Sequence, residues 1–231
     1  MSVRVLDLYC GAGMAADGYV AAGLEIAHGI DLRPQPNYPY DFFQDDAISV
    51  LESDEPEYYD IIHASPPCQL FTRARHLRDA QRKQSKEKID LLTPTLALLR
   101  ERWSHKVWIV ENVENAKSLM PGAVRLCGSR FGLAVQRHRL FLSNIRLSGT
   151  ACEHSMFPLD PITGKPRPWG VYYSAGDSIP SGGRTARDVD HGHELFGVRR
   201  TMTWDELKEG FPPAYTELIG AQLIRAITAA A

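Results

Sequence analysis

Four short runs constrain this chain more than anything else in it: VRVLDLY (3–9), EIAHGIDL (25–32), YYDIIHAS (58–65) and KVWIVENV (106–113). Each has the length of a strand and is largely apolar without strict alternation, so both of its faces need cover. Helix-like stretches lie between the runs. AADGYVAAG stops at Gly23, and IDLLTPTLALLRERW (89–103) spaces its apolar positions helically, with Pro94 as a start or kink. Strand–helix alternation of this kind predicts an α/β fold, a mostly parallel sheet with helices on both faces. The stretch 131-FGLAVQRHRLFLSN-144 reads as a closing hairpin and 216-TELIGAQLIRAITAA-230 as a final amphipathic helix. From Ser143 to Gly197 the composition shifts to Pro, Gly, Ser and Arg, which predicts a small irregular lobe. The expected division is therefore 1–142, 143–197 and a returning segment, 198–231.

A chain of 231 residues is long enough for one such domain with a real core. Its net charge of −2, from 26 basic and 28 acidic residues, excludes a globally basic nucleic-acid coat but not a local basic face. One such face exists: 71-FTRARHLRDAQRKQSKEK-88 carries seven Arg and Lys against Asp79 and Glu87. Its bland explanation is a solvated surface segment. Four cysteines without a CxxC pair read as reduced thiols of a cytoplasmic protein. No run is long enough to span a membrane, and MSVRVLDLYC starts a strand rather than a signal peptide.

In an open α/β sheet, ligands collect at the carboxyl ends of the strands. The first run ends in DLYCGAGM, where Gly11 and Gly13 permit a tight turn and close approach of a ligand. Asp31 ends the second run, where a carboxylate can accept ribose hydroxyls, and Asp46 lies near enough to meet a base amine. A glycine turn followed by an acid fits a nucleoside-bearing cofactor. Ala16 replaces the third glycine of a dinucleotide fingerprint, which favours S-adenosylmethionine over NAD. The third run drives into Pro66-Pro67, whose fixed torsions aim Cys68, and the fourth ends in Glu111-Asn112. Arg137 and Arg139 alternate on QRHRLF, so both face one side of a strand. Singly, each residue is ordinary: core filler, solvated acid, surface cations. Together they describe one polar pocket facing the glycine turn.

DLYCGAG, PPCQLF, IVENV and the RxR of QRHRLF, in that order and followed by FPPAYTELIG, resemble the cytosine-5 DNA methyltransferase family along essentially the whole chain. The resemblance implies a Rossmann-like S-adenosylmethionine-dependent methyltransferase fold, with 143–197 as a target-recognition lobe. It implies a methyl group passed to C5 of a flipped-out cytosine in duplex DNA through a covalent Cys68–C6 adduct. Glu111 would serve the N3 edge, and Arg139 with Arg137 the O2 edge. Cofactor contacts would fall on Asp7, Tyr9, Gly11, Ala12, Gly13, Asp31, Leu32, Asp46 and Pro66. DNA contacts would fall on Gln69, Thr72, Arg73, Arg75 and Arg78, in the family's mobile catalytic loop. A monomer acting on duplex DNA is expected, away from membranes. Its compact size suits a phage or mobile-element enzyme guarding DNA from restriction. A tRNA cytosine methyltransferase, a catalytically idle DNA-binding relative and a free-nucleotide methylase are the alternatives.

The chain departs from the family pattern at three places: Met14 follows Gly13, Val135 takes the first Gln slot of QxRxR, and Ala221 stands for an asparagine. The lobe is short, which suggests a short target sequence, with Arg146, Arg167, Arg184, Arg187, Arg199 and Arg200 available for phosphate or guanine contacts. Cys152, His154, His191 and His193 invite a zinc reading, but CxH…HxH is unlike common structural zinc pairs. No metal is expected on that ground.

Overall fold

The computed structural model describes residues 2–68, 70–71, 89–171 and 184–230. The sheet begins with β1 (Arg4–Leu8), whose apolar residues are wholly enclosed, and the chain then turns through three residues of positive φ, Tyr9, Gly11 and Gly13, into α1 (Met14–Ala21). Helix α1 stops at left-handed Gly23, and β2 (Glu25–Asp31) returns alongside β1. A short β3 (Phe42–Gln44) follows, then α2 (Ala47–Glu52), capped by Asp46 through the amides of Ile48 and Ser49. Strand β4 (Ile61–Ala64) lies on the other side of β1. Helix α3 (Leu92–Glu101) starts where Asp90 accepts from the amides of Leu92 and Thr93, and Pro94 sits in its first turn, where a missing N–H costs nothing. Next come β5 (Val107–Val113), β6 (Val124–Leu126) and β7 (Arg139–Ser143).

The seven strands run in the order β3-β2-β1-β4-β5-β7-β6, parallel through β5, with β7 antiparallel to both its neighbours. One face is covered by α2 and α3, through Val50, Leu51, Leu92, Leu96 and Leu99. The other face is covered by α1 and the last helix, through Ala16, Tyr19, Tyr215, Ile219 and Leu223. The closing hairpin differs from the sequence expectation. Its first arm is β6, ahead of 131–144, and residues 132–138 form the connection rather than a strand. The cause is local: Gly132 adopts φ 73, and Val135 departs from the sheet to bridge Trp169.

Beyond β7 come a two-residue parallel pair, β8 (Trp169–Gly170) and β9 (Arg184–Thr185), and α4 (Val189–Phe196), all within the stretch 143–197, then α5 (Trp204–Glu209) past it. These enclose a third, smaller core of Val171, Leu195, Phe196, Met202 and Leu207, which also takes in Met14 and Val135. The chain ends in α6 (Ala214–Ala230), pressed against α1 so closely that a Cβ on Gly18 would strike the Pro213 carbonyl. Among the described residues no helix is long and apolar enough to cross a membrane.

Candidate active site

Parallel pairing of β4 with β5 sets Ala64 beside Val110, so the segment leaving β4 emerges next to Glu111 and Asn112. That segment is Ser65-Pro66-Pro67-Cys68. Two amides hold it. The buried Asn112 donates from Nδ2 to the Pro66 carbonyl at 3.0 Å, and Asn115 donates to the Phe71 carbonyl at 2.7 Å. Between them the Phe71 amide donates to the Cys68 carbonyl at 2.9 Å, closing a turn with Cys68 at its start. The prolines thus limit the backbone while two asparagines fix its entrance and exit. Asn115 carries no motif that would single it out in the sequence.

In the antiparallel pairing of β5 with β7, Phe141 lies opposite Glu111, and Arg139, two residues earlier on the same face of β7, reaches back to it. Arg139 Nε lies 2.7 Å from Glu111 Oε1, in a pair whose side chains are only 11% and 8% exposed. Burial pushes the Glu111 carboxyl above its usual range, opposed by the guanidiniums of Arg139 and Arg137 and by a hydrogen bond from Ser65. Burial also raises the Cys68 thiol; Arg139 and Arg137 pull it down and Glu111 pushes it up. Cys68, Glu111 and Arg139 therefore share one electrostatic site. Arg137 stands just outside β7, its guanidinium reaching the carbonyls of Val171 and Lys208 and lying 5.3 Å from the centre of the Phe196 ring. Behind Glu111 runs a chain that no sequence motif reveals. Tyr19 Oη meets His63 Nδ1 at 2.8 Å, and His63 Nε2 meets Ser65 Oγ at 2.8 Å. His63 is wholly buried, and desolvation lowers its pKa to about 3, so it is neutral.

The glycine turn is closed by Asp31, which accepts from the Gly11 amide at 3.1 Å and the Arg33 amide at 2.9 Å. No atom lies within 4 Å of where a Gly11 Cβ would project, whereas one on Gly13 would meet Pro39 and Tyr38. The turn is packed on one side and open on the other. Leu32, just past the end of β2, is 65% exposed. Asp46 spends one oxygen capping α2. Tyr9 bonds Thr95 at 2.8 Å, and Pro66 is buried with its carbonyl taken by Asn112. Asp7 lies beneath the turn, fully enclosed and accepting from Tyr38 at 3.2 Å, and burial raises its pKa to about 7. An open turn with acids at or just past two strand ends fits a nucleoside-bearing cofactor such as S-adenosylmethionine.

Two departures from the family pattern have one explanation. Met14 turns away from the opening into the third core, where Gly210 leaves it room, and Val135 is fully buried in the same core. Both anchor the lobe. Ala221 lies in α6 next to Gly220, which packs on Ala22. Arg200, expected as a nucleic-acid contact, is instead a clamp: it pairs with Asp17 at 2.8 Å and donates to the carbonyls of Asn37 and Ala12. Arg167 pairs with Asp160 at 2.7 Å. His191 and His193 do not join Cys152 and His154; they hydrogen-bond to Arg187 and to the Met202 amide. Gln69, Thr72, Arg73, Arg75 and Arg78 lie outside the described residues.

Residues 3–124, more than half of the chain, match the family model of the C-5 cytosine-specific DNA methylase. The Type II methyltransferase M.HgiGI of Herpetosiphon aurantiacus is 30% identical over 128 residues, which cover 50% of this chain and 94% of that protein. The Type II methyltransferase M.AgeI of Thalassovita gelatinovora is 25% identical over 136 residues, covering 53% of this chain and 30% of that protein. The chain thus spans under a third of the one relative and nearly all of the other. Among solved structures, Dnmt2 methyltransferase of S. pombe is 12% identical, with 97% of this chain and 99% of that one covered at a TM-score of 0.60. The methyltransferase EhMeth of Entamoeba histolytica is 12% identical, covering 98% and 99% at 0.61. These likenesses extend the shared fold across the lobe, where the family model does not reach.

Proposed function

The chain belongs to the C-5 cytosine-specific DNA methylase family, and from that premise we propose that it transfers a methyl group from S-adenosylmethionine to C5 of cytosine in duplex DNA, with Cys68 as nucleophile. The observation that carries the proposal is the buried Glu111–Arg139 pair beside Cys68 at the ends of β4, β5 and β7. A carboxyl group whose pKa burial raises, next to a fixed guanidinium, suits an acceptor ring that gains negative charge at N3 and O2.

C5 of cytosine is a weak nucleophile. Attack of the Cys68 thiolate on C6 forms an S–C6 bond and moves the ring electrons toward N3, where Glu111 supplies a proton and Arg139 stabilises the charge at O2. C5 then carries the electron pair that takes the methyl group. S-adenosylmethionine, when bound, supplies that methyl on a sulfonium centre. Loss of the C5 proton restores the C5–C6 double bond and expels Cys68. The resting thiol is held up by burial, so Arg139 and Arg137 matter twice, favouring both the thiolate and the charged ring. A duplex hides C6, and flipping the base out costs roughly a few kcal/mol. The basic segment 71–88 supplies the charge to offset that cost through phosphate contacts. A Type II modification role, as in the named relatives, belongs to the same proposal, with S-adenosylmethionine bound over the Gly11 turn.

The test is nucleoside mass spectrometry on genomic DNA and total tRNA from bacteria without cytosine methylase of their own, expressing either this chain or its Cys68→Ser form. The expected result is 5-methylcytosine in DNA with the intact cysteine, falling at least ~10³-fold in the variant. Methylation confined to tRNA would overturn the substrate, and methylation that survives Cys68→Ser would overturn the nucleophile.

A further inference from the structure

Strand β7 separates two groups of reactive side chains. Arg139, its first residue, turns to Glu111; His138, immediately before it, turns to the opposite side and meets Cys127, Cys152 and His154. These four come from three parts of the chain: the residue after β6, the residue before β7, and the loop that follows β7. Their ligand atoms all lie within 4.8 Å of one another. His138 Nε2 and His154 Nε2 are 3.3 Å apart, Cys127 Sγ is 3.4 Å from His154 Nε2, and Cys152 Sγ is 3.4 Å from His138 Nε2.

A tetrahedral zinc ion, with Zn–N of about 2.0–2.1 Å and Zn–S of about 2.3 Å, requires N···N near ~3.3 Å and S···N near ~3.6 Å. The three distances match that requirement within a few tenths of an ångström. The donor set is two thiols and two imidazoles, the composition of closed structural sites. The surroundings are those of oriented ligands as well. Glu114 Oε2 lies 3.0 Å from His138 Nδ1, so a proton on Nδ1 is held by the carboxylate and the Nε2 lone pair points at the centre. Ser129 Oγ donates to Cys127 Sγ at 3.3 Å, and Arg125 holds Glu114 at 2.8 Å. The His138 and His154 rings stack at 5.3 Å, with Phe157 continuing the stack. Cys127 is fully buried, and both cysteines are free thiols. Each thiol proton can serve one imidazole, yet His138 Nε2 and His154 Nε2 still face each other at 3.3 Å; one divalent cation bound by all four groups satisfies every lone pair.

We propose that Cys127, His138, Cys152 and His154 form a structural zinc site that ties the loop after β7 to the sheet's edge strand, β6, and fixes the residue preceding Arg139. Binding forms two Zn–S and two Zn–N bonds and releases the two thiol protons to solvent, leaving no position for water or substrate. The inference is independent of the proposed methyl transfer, because it concerns the fold and is read without an activity assay.

The test is metal analysis of the full chain, purified without chelators or polyhistidine tags. About one zinc per chain is expected in the unaltered protein, and below about a tenth in His154→Ala and in Cys152→Ser. Stripping with a strong chelator should lower the unaltered protein's melting temperature and leave both variants unmoved. Should the variants not fold, cobalt titration of the stripped unaltered chain decides. One equivalent should produce the visible bands of a tetrahedral site and a thiolate charge-transfer band, both lost on adding zinc. Substoichiometric zinc together with a featureless cobalt spectrum overturns the proposal, as does a Cys127–Cys152 disulfide found by non-reducing peptide mapping.

Discussion

The two sides of β7 are built in opposite ways. On one side Cys68, Glu111 and Arg139 come from strand ends, each inside a short contiguous motif: Cys68 and Glu111 lie at the carboxyl ends of parallel β4 and β5, and Arg139 opens antiparallel β7, whose amino end falls on the same edge. On the other side Cys127, His138, Cys152 and His154 sit in no common motif and converge only because β6 and β7 form a hairpin whose following loop folds back. A reactive site assembled from strand ends can be found in a sequence once the strands are found. A site assembled from a loop's return path cannot.

The largest expected effect separates the two sides directly. Arg139→Ala leaves Glu111 buried without its cation, and breaking a buried pair from one end costs about 3 kcal/mol or more. Because Glu111 already titrates above its usual range, removing the guanidinium raises it further, and the loss is smallest at acid pH, where the carboxyl is neutral. Chemical denaturation should show the penalty growing as pH rises through and above the ordinary carboxylate range. Zinc content should stay as in the unaltered chain. A variant that loses metal along with the ion pair would join the two sides into one unit and break the comparison.

This contrast also explains what is legible in the sequence. The buried strands, and the convergence of Cys68, Glu111 and Arg139 at their ends, follow from contiguous runs whose periodicity and terminal residues are local facts. The hairpin expected over 131–144 fails because Val135 looks like a strand residue by type, yet it leaves the sheet to fill the lobe's core. Spacing along the chain groups His191 and His193 with Cys152 and His154, whereas long-range pairing selects Cys127 and His138. Asn115 and the Tyr19–His63 link carry no pattern at all, since a single hydrogen bond spanning 44 residues leaves no periodic trace.

Beneath the strand-end site, Asp7 and His63 face each other in register across β1 and β4, and burial moves them in opposite directions. Asp7, raised to about 7, binds a proton in the folded state that the unfolded chain releases, so its contribution weakens stability as pH rises from about 4 to about 7. His63, lowered to about 3, refuses a proton that the unfolded chain takes up, so its contribution weakens stability as pH falls below about 6.5. Asp7→Asn removes only the first effect. Its stability relative to the unaltered chain should improve by roughly 4 kcal/mol between about pH 4 and about pH 8. Equal offsets at both pH values would mean that the Asp7 carboxyl is not held protonated.

The lobe can be tested through the departure at Val135. Val135→Gln restores the family's residue but buries an amide in a dry core of Phe196, Leu195 and Val171, at a cost of about 1–3 kcal/mol. If Val135 anchors the lobe, melting temperature falls while the strand-end site keeps its chemistry once the protein is folded. An unchanged melting temperature would show that the slot tolerates a polar side chain, and the shared explanation for Met14 and Val135 would fail.

The smallest effect is expected at Asn115, and it distinguishes the two anchors of the Cys68 turn. Asn112 is buried and holds Pro66, so its loss exposes a carbonyl to a dry environment; Asn115 is exposed, and water can replace its bond to the Phe71 carbonyl. Asn115→Ala should therefore leave stability within about 0.5 kcal/mol of the unaltered chain. If Cys68 is the nucleophile proposed above, the effect falls on the reaction, because Asn115 holds the exit of the turn that Cys68 begins. A drop in kcat of roughly 2- to 10-fold is expected, the equivalent of one ordinary hydrogen bond, with KM for S-adenosylmethionine unchanged. If kcat holds while KM for DNA rises, the Phe71 end orders the basic segment that follows it rather than the cysteine, and the aim of Cys68 rests on Asn112 and the two prolines alone.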